Sequence, residues 1–219
     1  IIENNGVYGL TKGQFSATAE KGLQLKGHGT NSSFPIDIVL EALISNATFI
    51  ARSFAGDAKQ VKSLLKAAMS HNGTAIIDII SPCVTFNNQD FSHHSFAWAK
   101  ENREFIHDFS FVPKQDEIIL TEDYDSDEVK EVEMHDGSHI FLKKLDRDYD
   151  PTNKRLALET VTKANEDEIL LTGLIYLDQE KESLFNVKNL PKNKPLNRFT
   201  ADELRPNREA LEKINDAKA

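Results

Sequence analysis

The sequence predicts an α/β fold, an open parallel sheet with helices on both faces, followed by a smaller α+β C-terminal extension with a β-hairpin. Helical and strand-like apolar patterns alternate between residues 35 and 80, and residues 74–80 are almost continuously apolar. Strands covered on both faces of a parallel sheet have this composition. The hairpin is indicated by an Asp-Gly turn at residues 136–137, which separates two apolar-bearing runs.

The first elements are a strand, a glycine-rich loop and a helix. Ile1-Ile2-Glu3 has the composition of a buried strand, and Asn4-Asn5-Gly6 has that of the turn leaving it. The stretch that follows, up to Gly29, has no helical or strand period, and long loops inside compact domains are usually functional. Apolar residues with helical spacing then predict a helix over about 35–46.

A regular alternation continues to residue 80. Residues 48–51 predict a short buried strand, and Asp57 followed by Gln60 is a capping-box pattern that begins a second helix. Residues 74–80 predict the next strand. Strands alternating with helices imply right-handed crossovers and therefore an open α/β sheet.

Beyond Pro82 the patterns are less regular. The predicted elements are a helix near 92–107, a hairpin at about 129–143, a helix at about 152–165 and a strand at 170–177. The tail from about residue 188 is rich in Pro, Asn and Lys, and we expect it to wrap a partner or to be loose. We therefore predict two domains, residues 1–86 and residues 87–219.

Composition limits the class of protein. With 219 residues, 39% hydrophobic, the chain is long enough to bury a sizeable core. A net charge of -9 argues against non-specific nucleic-acid binding, which requires Lys and Arg to neutralise phosphates. No apolar run approaches the roughly 20 residues of a membrane helix, and the start lacks a signal-peptide pattern. We expect a cytoplasmic protein without nucleic-acid or membrane partners.

Asn5 and Val7 are the first candidate ligands. They follow a strand at its carboxyl end, where open α/β sheets bind ligands. Magnesium prefers oxygen ligands and shares them with substrate phosphates, so the Asn5 amide and the Val7 carbonyl suit it. On local sequence alone, Asn-Asn-Gly is more simply explained as a turn, and Lys12 is equally well explained as a solvated loop lysine.

The longer string Asn-Gly-Val-Tyr-Gly-Leu-Thr-Lys-Gly-Gln at residues 5–14 resembles the second half of the thiamine-diphosphate motif in beta subunits of 2-oxoacid:ferredoxin oxidoreductases. The resemblance implies that Asn5 and Val7 bind the magnesium that carries the diphosphate. It also implies that Lys12 lies at the substrate mouth, where an ammonium group attracts an anionic 2-oxoacid or coenzyme A. The implied contacts of the cofactor itself are Asn5, Val7, Tyr8, Gly9, Leu10 and Thr11. Asn4 departs from the family, which often has Asp there, as does Ala17, where the family often has Pro.

Cys83 is the single cysteine, so the chain forms no intrachain disulfide. It follows the strand at 74–80, which brings the thiol to the carboxyl edge of the sheet. A lone cysteine is usually a small buried hydrophobic residue. Ser-Pro-Cys-Val-Thr-Phe-Asn at residues 81–87, however, resembles the segment of the same beta subunits whose cysteine is the last ligand of a 4Fe-4S cluster. Such a cluster requires four thiolates, so three would come from outside this chain.

Other candidate sites are weaker. Asp123–Asp127 and Asp146–Asp150 begin like calcium loops, but they lack the required glycine and the closing glutamate. His93 and His94 are adjacent and are expected to be surface histidines.

The resemblance covers essentially the whole chain, densely in the first 90 residues, and the later segments resemble the 2-oxoglutarate-linked subunits. It implies an enzyme that oxidatively decarboxylates a 2-oxoacid with coenzyme A to acyl-CoA and CO2, passing electrons through the cluster to ferredoxin. An alpha subunit would be the partner, and the chain alone would be inactive. Because the chain starts in a buried strand without Met, we also expect a missing N-terminal region. Two alternatives stay open, a non-catalytic remnant that binds a partner and a thiamine enzyme that does not use ferredoxin.

Overall fold

The computed structural model describes residues 1–112, 129–133, 139–144, 149–191 and 194–218, in two compact units, Ile1–Lys181 and Glu182–Ala219. In chain order, the elements of the first unit are β1 (Ile2–Asn4), β2 (Val7–Tyr8), β3 (Gln14–Phe15), β4 (Gln24–Leu25), β5 (Gly29–Thr30), α1 (Ile38–Ile44), β6 (Phe49–Phe54), α2 (Ala58–Ser70), β7 (Ala75–Ile80), α3 (Phe96–Asn102), β8 (Arg103–Phe105), β9 (His107–Val112), β10 (Val129–Glu133), β11 (His139–Lys144), α4 (Lys154–Glu166) and β12 (Leu170–Leu177). The second unit contains α5 (Leu184–Val187), a 3-10 turn (Leu196–Arg198), α6 (Ala201–Leu204) and α7 (Arg208–Asp216).

The central sheet of the described residues has five strands in the order β1-β7-β6-β12-β8. Strands β1, β7 and β6 are mutually parallel, whereas β12 is antiparallel to β6 and parallel to β8. Every residue of β6 and β12 is buried, as expected of central strands covered on both faces. The predicted α/β class is thereby confirmed, with one antiparallel pair inside a mostly parallel sheet.

Helices cover both faces of this sheet. Because neighbouring residues of a strand point to opposite faces, successive residues pack against different helices. Ile50 of β6 packs into a cluster with Val39 of α1 and Val161 of α4. The preceding residue, Phe49, packs instead with Leu64 of α2. The core is therefore two apolar layers separated by the sheet.

The predicted helix over 35–46 is too long at both ends. The carboxylate of Asp37 accepts the amides of Val39 and Leu40 at 2.8 and 3.0 Å, so α1 begins after this N-cap. At the other end Asn46 has φ +61°, outside the helical range.

The second helix, α2, begins after Asp57 as predicted, but the capping box is incomplete. The Asp57 carboxylate accepts the Gln60 amide at 3.0 Å. The Gln60 side chain does not return the bond, because its Oε1 accepts the Ser53 hydroxyl at 2.7 Å inside the core. The Asp57 amide donates to the Phe54 carbonyl at 2.9 Å.

The predicted helix near 92–107 is wrong over much of its length. Helix α3 starts after Ser95, whose hydroxyl accepts the Trp98 amide at 3.1 Å. Residues Arg103–Phe105 leave the helix and pair in parallel with β12. Pairing with an available sheet edge has outweighed local helix propensity.

The remaining elements lie close to their predicted positions. Strands β10 and β11 are antiparallel, with Val129 opposite Lys143, where the sequence predicts a hairpin, and β11 also pairs with β9. The predicted turn at 136–137 lies outside the described residues. The domain boundary between residues 86 and 87 stays a prediction. Strand β12 lies beyond that boundary and shares a sheet with β1. Helices α6 and α7 lie in a tail for which the sequence predicts no regular element.

Candidate cofactor and cluster site

A tight turn after β1 brings Asn5 and Val7 together at the end of the strand. Strand β1 ends beside β7, where the Ser81 amide donates to the Asn4 carbonyl at 2.8 Å. Gly6 then adopts φ +71°, a left-handed conformation that glycine takes without strain. The side-chain oxygen of Asn5, Oδ1, accepts the Val7 amide at 3.0 Å. The turn is therefore closed on itself, with the Asn5 oxygen against the main chain of Val7.

The carbonyl of Val7 lies on the same side as the Asn5 side chain. Val7 is opposite Phe15 in the β2–β3 pair, and the Ser16 amide donates to the Gly6 carbonyl at 3.0 Å. Gly6 and Ser16 are therefore a hydrogen-bonded pair. Because such pairs alternate along an antiparallel ladder with non-hydrogen-bonded ones, Val7 and Phe15 are a non-hydrogen-bonded pair, and the amide and carbonyl of Val7 both point away from β3. The amide of Val7 meets Asn5 on that outer edge. The two oxygens that the sequence assigns to magnesium thus belong to one edge of one turn.

The loop beyond this turn presents exposed side chains. Tyr8 is 56% exposed and Leu10 is fully exposed, and Thr11 and Lys12 are exposed as well. The main chain is nevertheless held, because the Lys12 amide donates to the Gly9 carbonyl at 3.1 Å. Lys12 has φ +75°, a left-handed conformation that costs a residue with a Cβ some backbone strain. The predicted cofactor contacts of this loop are therefore available to a ligand.

Cys83 lies directly against the loop. The thiol sulfur, Sγ, is 3.6 Å from the point where a Cβ at Gly9 would lie. It packs beside Phe86 and next to the buried Val7 in a small apolar cluster. Gly9 and Cys83, 74 residues apart in the sequence, therefore lie side by side near the carboxyl ends of β1 and β7.

Asn87 is a residue of this site that the sequence interpretation missed. Its side-chain nitrogen, Nδ2, donates to the carbonyl of Asn5 at 2.9 Å, and its amide donates to the carbonyl of Cys83 at 2.8 Å. The side chain is fully buried. Its position within Ser-Pro-Cys-Val-Thr-Phe-Asn is the only signal in the sequence that marks it.

The expectation of surface histidines is wrong for His94. It is 5% exposed, and its Nδ1 lies 3.2 Å from the Glu20 carboxylate. Glu20 also accepts the His93 amide at 3.0 Å. Burial alone would raise the pKa of Glu20, but the hydrogen bond and charge of His94 and the local amides outweigh it and lower that pKa to about 2. His93 is half-buried and stacks on Trp98 with ring centroids 4.3 Å apart.

A buried ion-pair cluster lies behind the turn on the α1 face of the sheet. Arg52 bonds Asp37 at 2.7 Å and Asp78 at 3.0 Å. Burial would raise the pKa of Asp37, but the Arg52 charge lowers it below its ordinary value. Burial would lower the pKa of Arg52, but the charges of the two carboxylates outweigh it and raise that pKa. These groups line a cavity of about 610 Å³ that also reaches Asn4 and Glu20. The cluster fixes α1 against β6 and β7, and the Cys83 loop follows β7.

The donor set fits magnesium better than it fits a complete cluster. A hard cation is suited by the amide oxygen of Asn5 and the carbonyl of Val7, with further oxygens supplied by a diphosphate and water. Among the described residues, no three His, Cys, Asp or Glu side chains are placed to hold a metal together. Cys83 alone is one of the four thiolates that a 4Fe-4S cluster requires. The residues that resemble calcium loops lie largely outside the described ranges. In those ranges no helix is long and apolar enough to cross a membrane.

Comparisons with known proteins find similar sequences for the segment that contains this turn and loop. Residues 1–79 match the family of the thiamine pyrophosphate enzyme, C-terminal TPP binding domain. The chain is similar to the 2-oxoacid:ferredoxin oxidoreductase subunit beta of Saccharolobus solfataricus, 44% identical over 89 residues, which are 40% of this chain and 29% of that protein. It is also similar to the 2-oxoglutarate oxidoreductase subunit KorB of Mycobacterium tuberculosis, 38% identical over 105 residues, 48% of this chain and 27% of that protein. The matched segments thus span less than a third of these relatives.

A solved structure shares the fold. The 2-oxoglutarate:ferredoxin oxidoreductase from Magnetococcus marinus, with 2-oxoglutarate, coenzyme A and succinyl-CoA bound, aligns with a TM-score of 0.61 and 22% identity, over 99% of this chain and 56% of that chain. Together the matches confirm the resemblance that the motifs at residues 5–14 and 81–87 indicate. Over the matched segments of 89 and 105 residues, the chain is similar to beta subunits of 2-oxoacid:ferredoxin and 2-oxoglutarate oxidoreductases.

Proposed function

We propose that this chain acts in the beta subunit of a 2-oxoacid:ferredoxin oxidoreductase. The proposed reaction is the oxidative decarboxylation of a 2-oxoacid with coenzyme A, which yields an acyl-CoA and CO2. Electrons pass through a 4Fe-4S cluster to ferredoxin, and an alpha subunit completes the assembly. The chain contributes the diphosphate end of the thiamine-diphosphate site and one thiolate of the cluster.

The observation that carries this proposal is the contact between the two motifs. Cys83 Sγ lies 3.6 Å from the Cβ position of Gly9, within the loop assigned to the cofactor. A 2-oxoacid loses two electrons on oxidation, and a cluster accepts them one at a time. A cluster ligand in contact with the cofactor loop supports such a transfer, which a thiamine decarboxylase without ferredoxin does not need.

Five residues of the turn and the loop have a role in this proposal. When bound, thiamine diphosphate supplies the electron sink that decarboxylation of a 2-oxoacid requires. Asn5 and the Val7 carbonyl hold the magnesium ion, and with it the diphosphate, in a fixed position. The exposed side chains of Tyr8 and Leu10 cover apolar parts of the ligand and exclude water. Lys12 offers a charge to the carboxylate of the 2-oxoacid or to coenzyme A.

We propose 2-oxoglutarate as the preferred substrate. The support comes from the Mycobacterium relative, which is named a 2-oxoglutarate oxidoreductase subunit. The Magnetococcus structure of the same fold contains 2-oxoglutarate and succinyl-CoA.

The test is the reduction of ferredoxin by the complete subunit, co-expressed with its alpha subunit and loaded with magnesium, thiamine diphosphate and reconstituted iron and sulfide. We expect reduction that depends on both the 2-oxoacid and coenzyme A, faster with 2-oxoglutarate than with pyruvate. Asn5→Ala should lower the rate at least about tenfold at limiting magnesium, because one oxygen ligand is lost. Asn88→Ala, at an exposed position outside the turn, is the matched control and should retain the rate. A loaded complex that fails to reduce ferredoxin when both a 2-oxoacid and coenzyme A are present would contradict the proposal.

A further inference from the structure

We infer that Asn87 is a positioning residue that couples the Cys83 loop to the turn of Asn5 and Val7. The inference rests on the proposed function and deepens it. It states that the occupancy of the cluster position and the affinity for thiamine diphosphate depend on each other through this one side chain.

The contacts of Asn87 join the two loops directly. Its Nδ2 donates to the Asn5 carbonyl at 2.9 Å, across 82 residues of sequence. Its own amide donates to the Cys83 carbonyl at 2.8 Å, and the two residues form an isolated antiparallel bridge. Asn87 is 0% exposed, so water does not compete for either bond. A displacement of the Cys83 main chain is therefore transmitted to Asn5.

The bonded carbonyl controls the direction of the proposed ligands. It belongs to the peptide between Asn5 and Gly6, so its orientation sets the backbone angle that precedes the left-handed Gly6. That angle determines where the Asn5 side chain meets the Val7 amide, at 3.0 Å. A carbonyl oxygen accepts only from a donor, and Nδ2 is the one donor in the side chain of Asn87.

The surroundings leave Asn87 little freedom. A Cβ placed on Gly6 would lie 3.0 Å from Asn87 Nδ2 and 2.9 Å from His94 Nδ1. His94 is in turn held by Glu20 at 3.2 Å. Close-packed groups of this kind switch between discrete arrangements and do not deform gradually. A cluster bound at Cys83 therefore favours one geometry of the Asn5 turn, and by reciprocity a ligand at the turn favours one geometry of Cys83.

Replacement of Asn87 tests the coupling in the complete subunit with its alpha subunit. Asn87→Leu keeps the volume but removes the donor, and Asn87→Asp replaces the donor with a carboxylate oxygen facing the Asn5 carbonyl. Asn88→Asp makes the same chemical change at the exposed neighbour and is the matched control. The measurements are the Kd of thiamine diphosphate at saturating magnesium, by calorimetry, and the electron paramagnetic resonance spectrum of the reduced cluster.

We expect Asn87→Leu to raise the Kd of thiamine diphosphate about tenfold, which corresponds to about 1.4 kcal/mol, and Asn87→Asp to raise it further. Both variants should also change the line shape of the cluster spectrum, whereas Asn88→Asp should leave the Kd and the spectrum unchanged. In the wild type, removal of the cluster should weaken cofactor binding, and in Asn87→Leu this dependence should be lost.

Three results would overturn the inference in distinguishable ways. Wild-type Kd and spectrum in both Asn87 variants would reject the coupling while leaving the proposed function intact. Loss of secondary structure in both variants would make Asn87 a structural residue. A wild-type complex that binds neither thiamine diphosphate nor iron would reject the proposed function together with the inference that rests on it.

Discussion

Gly6→Ala tests whether the turn between Asn5 and Val7 tolerates a side chain. Gly6 has φ +71°, and a left-handed conformation costs a residue with a Cβ about 1 to 2 kcal/mol. The new Cβ would lie 2.9 Å from His94 Nδ1, closer than real Cβ atoms approach, and 3.0 Å from Asn87 Nδ2, which is tighter than most real Cβ contacts. Overpacking of this kind adds about 1 to 3 kcal/mol. We expect the free energy of unfolding to fall by about 2 to 5 kcal/mol.

Gly22→Ala separates the two contributions. Gly22 has φ +91°, but a Cβ there would meet no heavy atom within 4 Å. This control should therefore lose only the backbone contribution, about 1 to 2 kcal/mol. Urea unfolding followed by circular dichroism measures both losses, and equal slopes would show that the unfolded states are comparable. Equal losses for Gly6→Ala and Gly22→Ala would refute the close packing around the turn.

Three further predictions concern charged groups of the first unit. Arg52→Leu leaves two buried carboxylates without their partner and should cost about 3 to 5 kcal/mol in urea unfolding, whereas a loss below about 1 kcal/mol would show that the cluster is not buried as described. The lowered pKa of Glu20 gives stability that is present above pH 4.5 and is lost as the pH falls through about 2. Glu20→Gln should therefore be less stable than the wild type by about 3 kcal/mol at neutral pH, with a difference that shrinks in acid titration; a constant difference would contradict the pair with His94. Lys12→Met should raise the KM for an anionic 2-oxoacid several-fold with a smaller change in kcat, more at low salt than at high salt, and an unchanged KM would remove Lys12 from the substrate mouth.

The sequence predicts well those elements whose residues are specified by neighbours along the chain. The run at 74–80 has the composition of a strand buried on both faces, and β7 occupies Ala75–Ile80. Asp57 is a cap because its carboxylate reaches an amide three residues later. The order of strands and helices up to residue 80 follows from such local signals, and with it the α/β class.

Elements that depend on distant partners are predicted poorly. Residues Arg103–Phe105 have no strand pattern of their own, and they become β8 because β12 offers them an edge. The antiparallel placement of β12 beside β6 also has no local signal, since it is decided by how the chain returns to the sheet.

In the candidate site, too, contacts between neighbours along the chain follow from the sequence, and contacts between distant residues do not. Asn5 and Val7 form one turn, so their proximity follows from sequence spacing. The contact of Cys83 with Gly9 arises from two adjacent strand ends and is visible only in the fold. His94 is buried because Glu20, 74 residues away, pairs with it.

Iron, acid-labile sulfide and thiamine diphosphate content, measured together, test the central claim most directly. The sample is the complete beta subunit purified with its alpha subunit, as wild type, as Cys83→Ala and as Val84→Ala, an exposed neighbour in the same loop. We predict about four iron and four sulfide per site in the wild type and in Val84→Ala, since a 4Fe-4S cluster has that composition, with one thiamine diphosphate. Cys83→Ala should lose most of the iron and sulfide. A wild type without iron or thiamine diphosphate, or a Cys83→Ala variant with a full cluster, would contradict the account.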